Sequence, residues 1–213
     1  MKTIAFVPIR LNSKRVEGKN LRLLGGKPLM CHILDTLASV KAINEVYVYC
    51  SQEEVRKYLP ERVEFLKRPD YLDRDETLGK EIYEEFTRTV DADIYVLAHT
   101  TSPFTRRETV ENALRMITDC GYDSAFSCQK VQTFAWYKGK PLNYDLCQIP
   151  RTQTIEPVYV ETSAFFMFRR DVWKVHKRRI GFNPFFALVD NIEAVDIDWP
   201  DDFRFAEKII KAI

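Results

Sequence analysis

The chain has 213 residues, 32 Lys+Arg against 31 Asp+Glu, a formal net charge of +1 and 46% hydrophobic residues. This length and apolar content suit one large domain with a real core and exclude a disordered chain, while the charge balance argues against a generic binder of nucleic acid or anionic membrane. No apolar run approaches the ~20 residues that span a bilayer, and five widely spaced cysteines without a CxxC pair point to reduced thiols in a cytoplasmic protein, not to a disulfide frame or zinc site.

The apolar run Ile4 to Ile9 reads as a buried strand followed by a basic loop. From Pro28 onward Leu29, Ile33, Leu34, Leu37 and Val40 recur at helical spacing. Val46 to Cys50 is the next strand, and Ser51 has the place of an N-cap for a helix through Val55 and Leu59. A short strand at Val63 to Leu66, a helix over Thr77 to Val90 and an apolar strand at Ile94 to Ala98 follow. Thr105-Arg106-Arg107-Glu108 has the form of a capping box opening a helix through Ile117. This alternation predicts an α/β fold, a doubly wound and mainly parallel sheet covered on both faces.

The rhythm breaks after about residue 125. Ser124 to Val131, Val158 to Val160 and Phe165 to Phe168 read as strands, with Trp136 to Thr154 aperiodic between them. Residues 130–165 are therefore expected to form a small arm for dimerisation or substrate contact within a single domain spanning 1–213, and the protein is expected to be a homodimer. Ile192 to Ile197 is expected to be the last strand and Pro200 to Ile213 the last helix.

The total charge hides a polarity. Residues 1–30 carry seven basic residues and one acid, whereas residues 190–213 carry seven acids and three bases. The loop leaving the first strand holds Arg10, Asn12, Ser13, Lys14, Lys19 and Asn20. A loop at the carboxyl end of a parallel strand lies at the ligand edge, and such cations and neutral donors grip a triphosphate from several sides. The glycines of a Walker A loop are missing. At the other end, Asp196 and Asp198 alternate in an apolar segment, so both carboxylates face one way and can converge on one magnesium ion. Asp198 also precedes Trp199-Pro200-Asp201, where an N-cap is expected, and Asp202 suits a first helical turn. His32 and the basic run Lys174 to Arg179, which includes His176, read as structural and solvated positions.

Pro8-x-Arg10-x-x-Ser13-Lys14, Lys19-Asn20, Gly26-Lys27-Pro28-Leu29, Lys67-Arg68-Pro69, Thr101-Ser102-Pro103-Phe104, Val195-Asp196-Ile197-Asp198, Asp202-Phe203 and Ala206-Glu207 stand in this order along the chain. Together they resemble the acylneuraminate cytidylyltransferase family, the CMP-sialic acid synthetases and their relatives, which include the CMP-Kdo synthetases. The resemblance implies a Rossmann-like nucleotidyltransferase fold and a CTP-dependent reaction, in which the anomeric hydroxyl of a 2-keto-3-deoxy sugar acid attacks the α-phosphorus, pyrophosphate leaves, and Mg2+ is bound. It implies catalytic roles for Arg10, Lys19 and Asp196, and a nucleotide site of Pro8, Arg10, Asn12, Ser13, Lys14, Lys19, Asn20, Arg68 and Ser102. It further implies metal binding by Asp196 and Asp198, and sugar contacts from His99, Thr101, Arg151, Gln153 and Thr162.

The sugar side departs from the pattern. His99 stands where the family has Gln, and Val160 to Ala164 stand where it has Arg-Pro-Asn-Gly-Ala. Leu11 and Asn12 replace common glycines. Two other readings are a nucleotide-sugar-dependent glycosyltransferase with an Asp-x-Asp metal motif, and a non-catalytic nucleotide-binding relative. The glycosyltransferase motif is expected in mid-chain, and the second reading leaves Arg10, Lys19, Asp196 and Asp198 without a task.

Overall fold

A computed structural model describes all residues, 1–213. Seven strands form one sheet: β1 (Thr3–Pro8), β2 (Glu45–Cys50), β3 (Val63–Lys67), β4 (Ile94–Ala98), β5 (Ser124–Val131), β6 (Val158–Arg169) and β7 (Pro184–Leu188). Their spatial order is β7-β5-β6-β4-β1-β2-β3. β6 runs antiparallel to both of its neighbours, and every other pairing is parallel. The five helices are α1 (Leu29–Ser39), α2 (Gly79–Thr89), α3 (Arg107–Asp119), α4 (Arg170–His176) and α5 (Pro200–Ile210). None is long and apolar enough to cross a membrane.

The two-residue period of the central strands divides the core. Ala5 and Val7 of β1, with Val96 and Ala98 of β4, pack with Ile33, Leu34 and Leu37 of α1 and Val110, Leu114 and Ile117 of α3. Ile4, Phe6, Tyr95 and Leu97 face the other way, against Tyr83 and Phe86 of α2 and Trp173 of α4. Phe6 stacks on Phe86 at 4.1 Å between centroids.

A third, smaller cluster determines where the site lies. Val16 and Leu24 from the segment after β1 pack with Val195, Ile197 and Phe203 from the C-terminal segment, all buried. Each such side chain contributes about 1.5–3 kcal/mol by leaving water. The basic and acidic ends of the chain are thereby held face to face. Gly25 and Gly26, at φ +57° and +87°, close the two-residue hairpin between Leu23–Leu24 and Lys27–Pro28. Gly25 also lies where a Cβ would come within 2.7 Å of Ile210, so α5 can dock against this turn.

Four local expectations are corrected. Residues 192–197 form no strand: the Asp190 carboxylate accepts from the N–H groups of Ile192 and Glu193, bending the chain, and β7 already occupies that sheet edge. Residues 53–58 form a 3-10 turn, not an α-helix, and the Ser51 hydroxyl donates to Asp73 instead of capping it. The Thr105 hydroxyl donates to the Ser102 carbonyl, while buried Glu193 accepts from the Arg106 N–H at 2.8 Å and from the Thr109 hydroxyl at 3.0 Å at the start of α3. Finally, β6 is one long strand with an irregularity between Glu161 and Phe166, where Ser163 has φ +58°. Residues 132–157 leave the sheet through a small hairpin, Trp136–Tyr137 with Lys140–Pro141, whose Trp136 and Tyr137 are exposed.

Candidate active site

A cleft of about 680 Å3 opens at the carboxyl ends of β1 and β4. Ten expected residues line it: Pro8, Arg10, Ser13, Lys14, Lys19 and Asn20 from the first loop, His99 and Thr101 after β4, and Asp196 and Asp198 from the C-terminal segment. Arg15, Thr100, Ser163 and Arg179 complete the lining, so five cations face two carboxylates.

The loop is fixed in place by its own polar groups. The Asn20 side-chain amide donates to the Arg10 carbonyl at 2.8 Å and accepts from the Thr100 hydroxyl at 2.6 Å, tying the loop to the end of β4. Arg10 donates to the Asp73 carbonyl at 3.1 Å, and Lys14 pairs with Asp75. Lys14, with Arg10 adding less, holds the Asp75 carboxyl below the usual range. The cationic half of the cleft is thus anchored to the segment that follows β3.

Lys19 joins the two ends of the chain. Its buried ammonium donates to the Ile197 carbonyl at 2.7 Å and lies 3.7 Å from Asp198, which Arg15 also meets at 2.9 Å. Burial lowers the Lys19 pKa, and Asp198 opposes that shift. Asp196 and Asp198 share one side because Val195 and Ile197 bury the other, although the segment is extended coil and not sheet. The Ile197 N–H donates to the Thr101 carbonyl at 2.8 Å. Asp202, not Asp198, caps α5, accepting from the N–H groups of Trp199 and Asp198. Asp198 is left free to face the cleft. One Asp196 oxygen is buried with no protein partner, and burial raises its pKa, with nearby Asp198 adding and Thr101 and Lys19 opposing. A buried carboxylate oxygen without a donor, beside a second carboxylate, suits a divalent cation.

The other expected site residues lie outside the cleft lining. Asn12 is exposed on the loop. Arg68 is buried behind the cleft, paired with the same Asp73 whose carbonyl holds Arg10. Ser102 is buried with its hydroxyl unpartnered. Thr162 is buried between β6 and β5, donating to the Ser127 hydroxyl at 2.8 Å. Arg151 and Gln153 belong to an exposed turn of the excursion, where Gln132 donates to the Gln153 carbonyl. His99 accepts no such displacement: its Nδ1 lies 2.6 Å from the Ser163 carbonyl, and burial lowers its pKa.

Two cleft cations went unread in the sequence. Arg15 is one position along the loop from a predicted residue, so its charge was the available signal. Arg179 sits in the run expected to be solvated, yet its guanidinium lies over Phe166, 3.6 Å from the ring centroid.

A profile of the family described as cytidylyltransferase matches residues 4–212. The chain belongs to the cytidylyltransferase family. Among curated relatives of this cytidylyltransferase-family chain, N-acylneuraminate cytidylyltransferase from Oncorhynchus mykiss is 26% identical over 210 residues, covering 92% of this chain and 48% of its own length. CMP-N,N'-diacetyllegionaminic acid synthase from Legionella pneumophila is 23% identical, covering 99% of this chain and 97% of that protein. The chain thus spans about half the length of the N-acylneuraminate relatives but nearly all of the Legionella one. Among solved structures, a CMP:2-keto-3-deoxy-manno-octonic acid synthetase complexed with CTP superposes with a TM-score of 0.74 at 19% identity, covering 100% of this chain and 99% of that one. A 4-diphosphocytidyl-2C-methyl-D-erythritol synthase from Anaerococcus prevotii gives 0.66 at 12% identity, covering 99% and 96%. These superpositions support the nucleotidyltransferase fold.

Proposed function

We propose that this protein transfers the cytidylyl group of CTP to the anomeric hydroxyl of a sialic acid-like 2-keto-3-deoxy sugar acid, forming a CMP-sugar and pyrophosphate. The observation that carries the reading is the cleft itself: a cationic loop faces a two-carboxylate segment across the ligand edge of a cytidylyltransferase-family fold. Charge develops on the α-phosphate and on the departing pyrophosphate, and preplaced cations stabilise it more in the transition state than in the ground state.

Arg10 and Lys14 would bind the outer phosphates, releasing Asp75, while Ser13 and Asn20 contribute neutral contacts and Asn20 keeps the loop in place. Lys19 would meet the reacting phosphate and, through the Ile197 carbonyl, fix the segment that carries both carboxylates. Asp196 and Asp198 would hold Mg2+, which when bound neutralises phosphate charge. Arg68 and Ser102 would support the cytidine side from behind the cleft, with Asn12 at its rim. The sugar hydroxyl oxygen would form the new bond to phosphorus and give up its proton to the solvent of the open cleft, as the bond to the pyrophosphate oxygen breaks, with His99 and Thr101 on the sugar side.

Arg151 and Gln153 would act on sugar only through a second copy or a rearranged arm, and Thr162, bonded to Ser127 within the sheet, would support the sugar side only from behind it. The homodimer we infer uses the excursion 132–157, whose exposed Trp136, Tyr137, Leu142, Leu146 and Ile149 need cover. All five cysteines are unpaired, which suits a reducing cytoplasm. The test is incubation with CTP, Mg2+ and a panel of sialic, Kdo-like, legionaminic and pseudaminic acids, read by pyrophosphate release. Release dependent on one acid is expected; CTP binding without release on any acid would favour a non-catalytic relative.

A further inference from the structure

The part of the cleft over β4 and β6 holds a cation that takes no part in the phosphate loop. Arg179 follows α4 and reaches over the ring of fully buried Phe166. A guanidinium stacked on an aromatic face keeps its in-plane N–H donors available for a bidentate partner. Its one protein acceptor is Glu161, at 3.3 Å and itself partly solvated.

His99 lies edge-on to the same Phe166, at 6.2 Å between centroids. A carbonyl only accepts, so the Nδ1 that lies 2.6 Å from the Ser163 oxygen carries the proton. Nε2 of the neutral ring is then an acceptor. Burial, opposed by the Ser163 carbonyl and aided by Arg179, lowers the imidazole pKa. The Ser163 carbonyl reaches His99 within the irregular stretch of β6, where this residue takes a left-handed conformation. Arg10 and Lys14 are tied instead to Asp73 and Asp75 beyond β3, so the sheet order separates the two cationic groups across the cleft.

We propose that Arg179 anchors the carboxylate of the acceptor substrate while His99 Nε2 accepts a hydroxyl of the same molecule, so that this end of the cleft selects α-hydroxy carboxylates. In its cyclic form a 2-keto sugar acid carries a carboxylate and a hydroxyl on one carbon, which is the pattern a donor fork beside an acceptor nitrogen recognises. The inference rests on the cytidylyl-transfer reading for the identity of the acceptor.

The test compares wild type with Arg179→Met, which keeps the aliphatic stem on Phe166, and Arg179→Lys. With the panel acid that wild type turns over best, Arg179→Met raises the KM for that acid about 100-fold, the scale of lost hydrogen bonds to a charged group, while the KM for CTP stays within threefold. Arg179→Lys restores part of the loss. An unchanged KM for the acid, or equal losses for both substrates, overturns the proposal while leaving cytidylyl transfer intact. If wild type turns over no acid, the functional reading fails, and ligand-detected NMR with N-acetylneuraminate and its methyl ester decides the subsite separately. Binding of the acid to wild type only supports the anchor, whereas equal binding of the ester, or of the acid to Arg179→Met, refutes it.

Discussion

Replacing Lys19 by Met separates a structural strap from a functional cation. The ammonium donates to the Ile197 carbonyl at 2.7 Å in a buried setting and lies 3.7 Å from Asp198. A hydrogen bond from a charged donor contributes about 1.5–3 kcal/mol. The desolvation that lowers the Lys19 pKa offsets part of this, because Met carries no charge to bury. A net loss near 1.5 kcal/mol is expected, or about 3–6 °C in Tm for a domain of this size. A domain with 5–15 kcal/mol of stability stays folded through that loss. Losing a preplaced cation at the transferring phosphate costs about 100- to 1000-fold in kcat. Urea denaturation and pyrophosphate release on the same preparation give both numbers. If Lys19→Met loses the expected stability but keeps kcat/KM for CTP within threefold, Lys19 is only a strap and the site assignment fails.

Three further outcomes follow from particular residues. Burial holds the His99 pKa below its ordinary 6.5, so the unfolded chain takes the proton first as pH falls; stability is present above about pH 6.5 and declines below it. In His99→Gln that decline between pH 7.5 and 5, followed by urea midpoints, becomes shallower, and an unchanged slope would contradict the assignment. Glu193→Ala removes two buried bonds at the start of α3 and is expected to cost about 2–3 kcal/mol in urea, with CTP affinity unchanged; a loss below 0.5 kcal/mol would show the cap to be dispensable. Trp136→Ser with Tyr137→Ser is expected to convert a dimer to monomer by sedimentation at micromolar concentration, and a monomeric wild type would refute the arm's role.

The sheet was legible because its central strands are buried on both faces: Ile4 to Val7 and Ile94 to Ala98 read as continuous apolar runs of strand length. The edge was not. Pro184-Phe185-Phe186 begins with a residue that has no N–H to donate, tolerated only at a strand start or edge, whereas the alternation of Val195 and Ile197 looks like a strand but packs on Phe203. The acid at Glu193 that takes the place of the Thr105 cap is 88 positions distant, beyond the reach of a local motif. In the site, the basic loop and the paired aspartates were visible as charge against apolar flanks. Arg179 was hidden in a basic run, since only the fold reveals that Phe166 lies beneath it.

The central claim is nucleotidyl transfer to carbon-borne oxygen, and 31P NMR of a reaction containing protein, Mg2+, CTP and the active sugar acid reads it directly. The account predicts that the three CTP resonances give way to pyrophosphate and one phosphodiester resonance, only when acid is present and not with Asp196→Asn. Inorganic phosphate with CDP, or CTP loss independent of the acid, would contradict it.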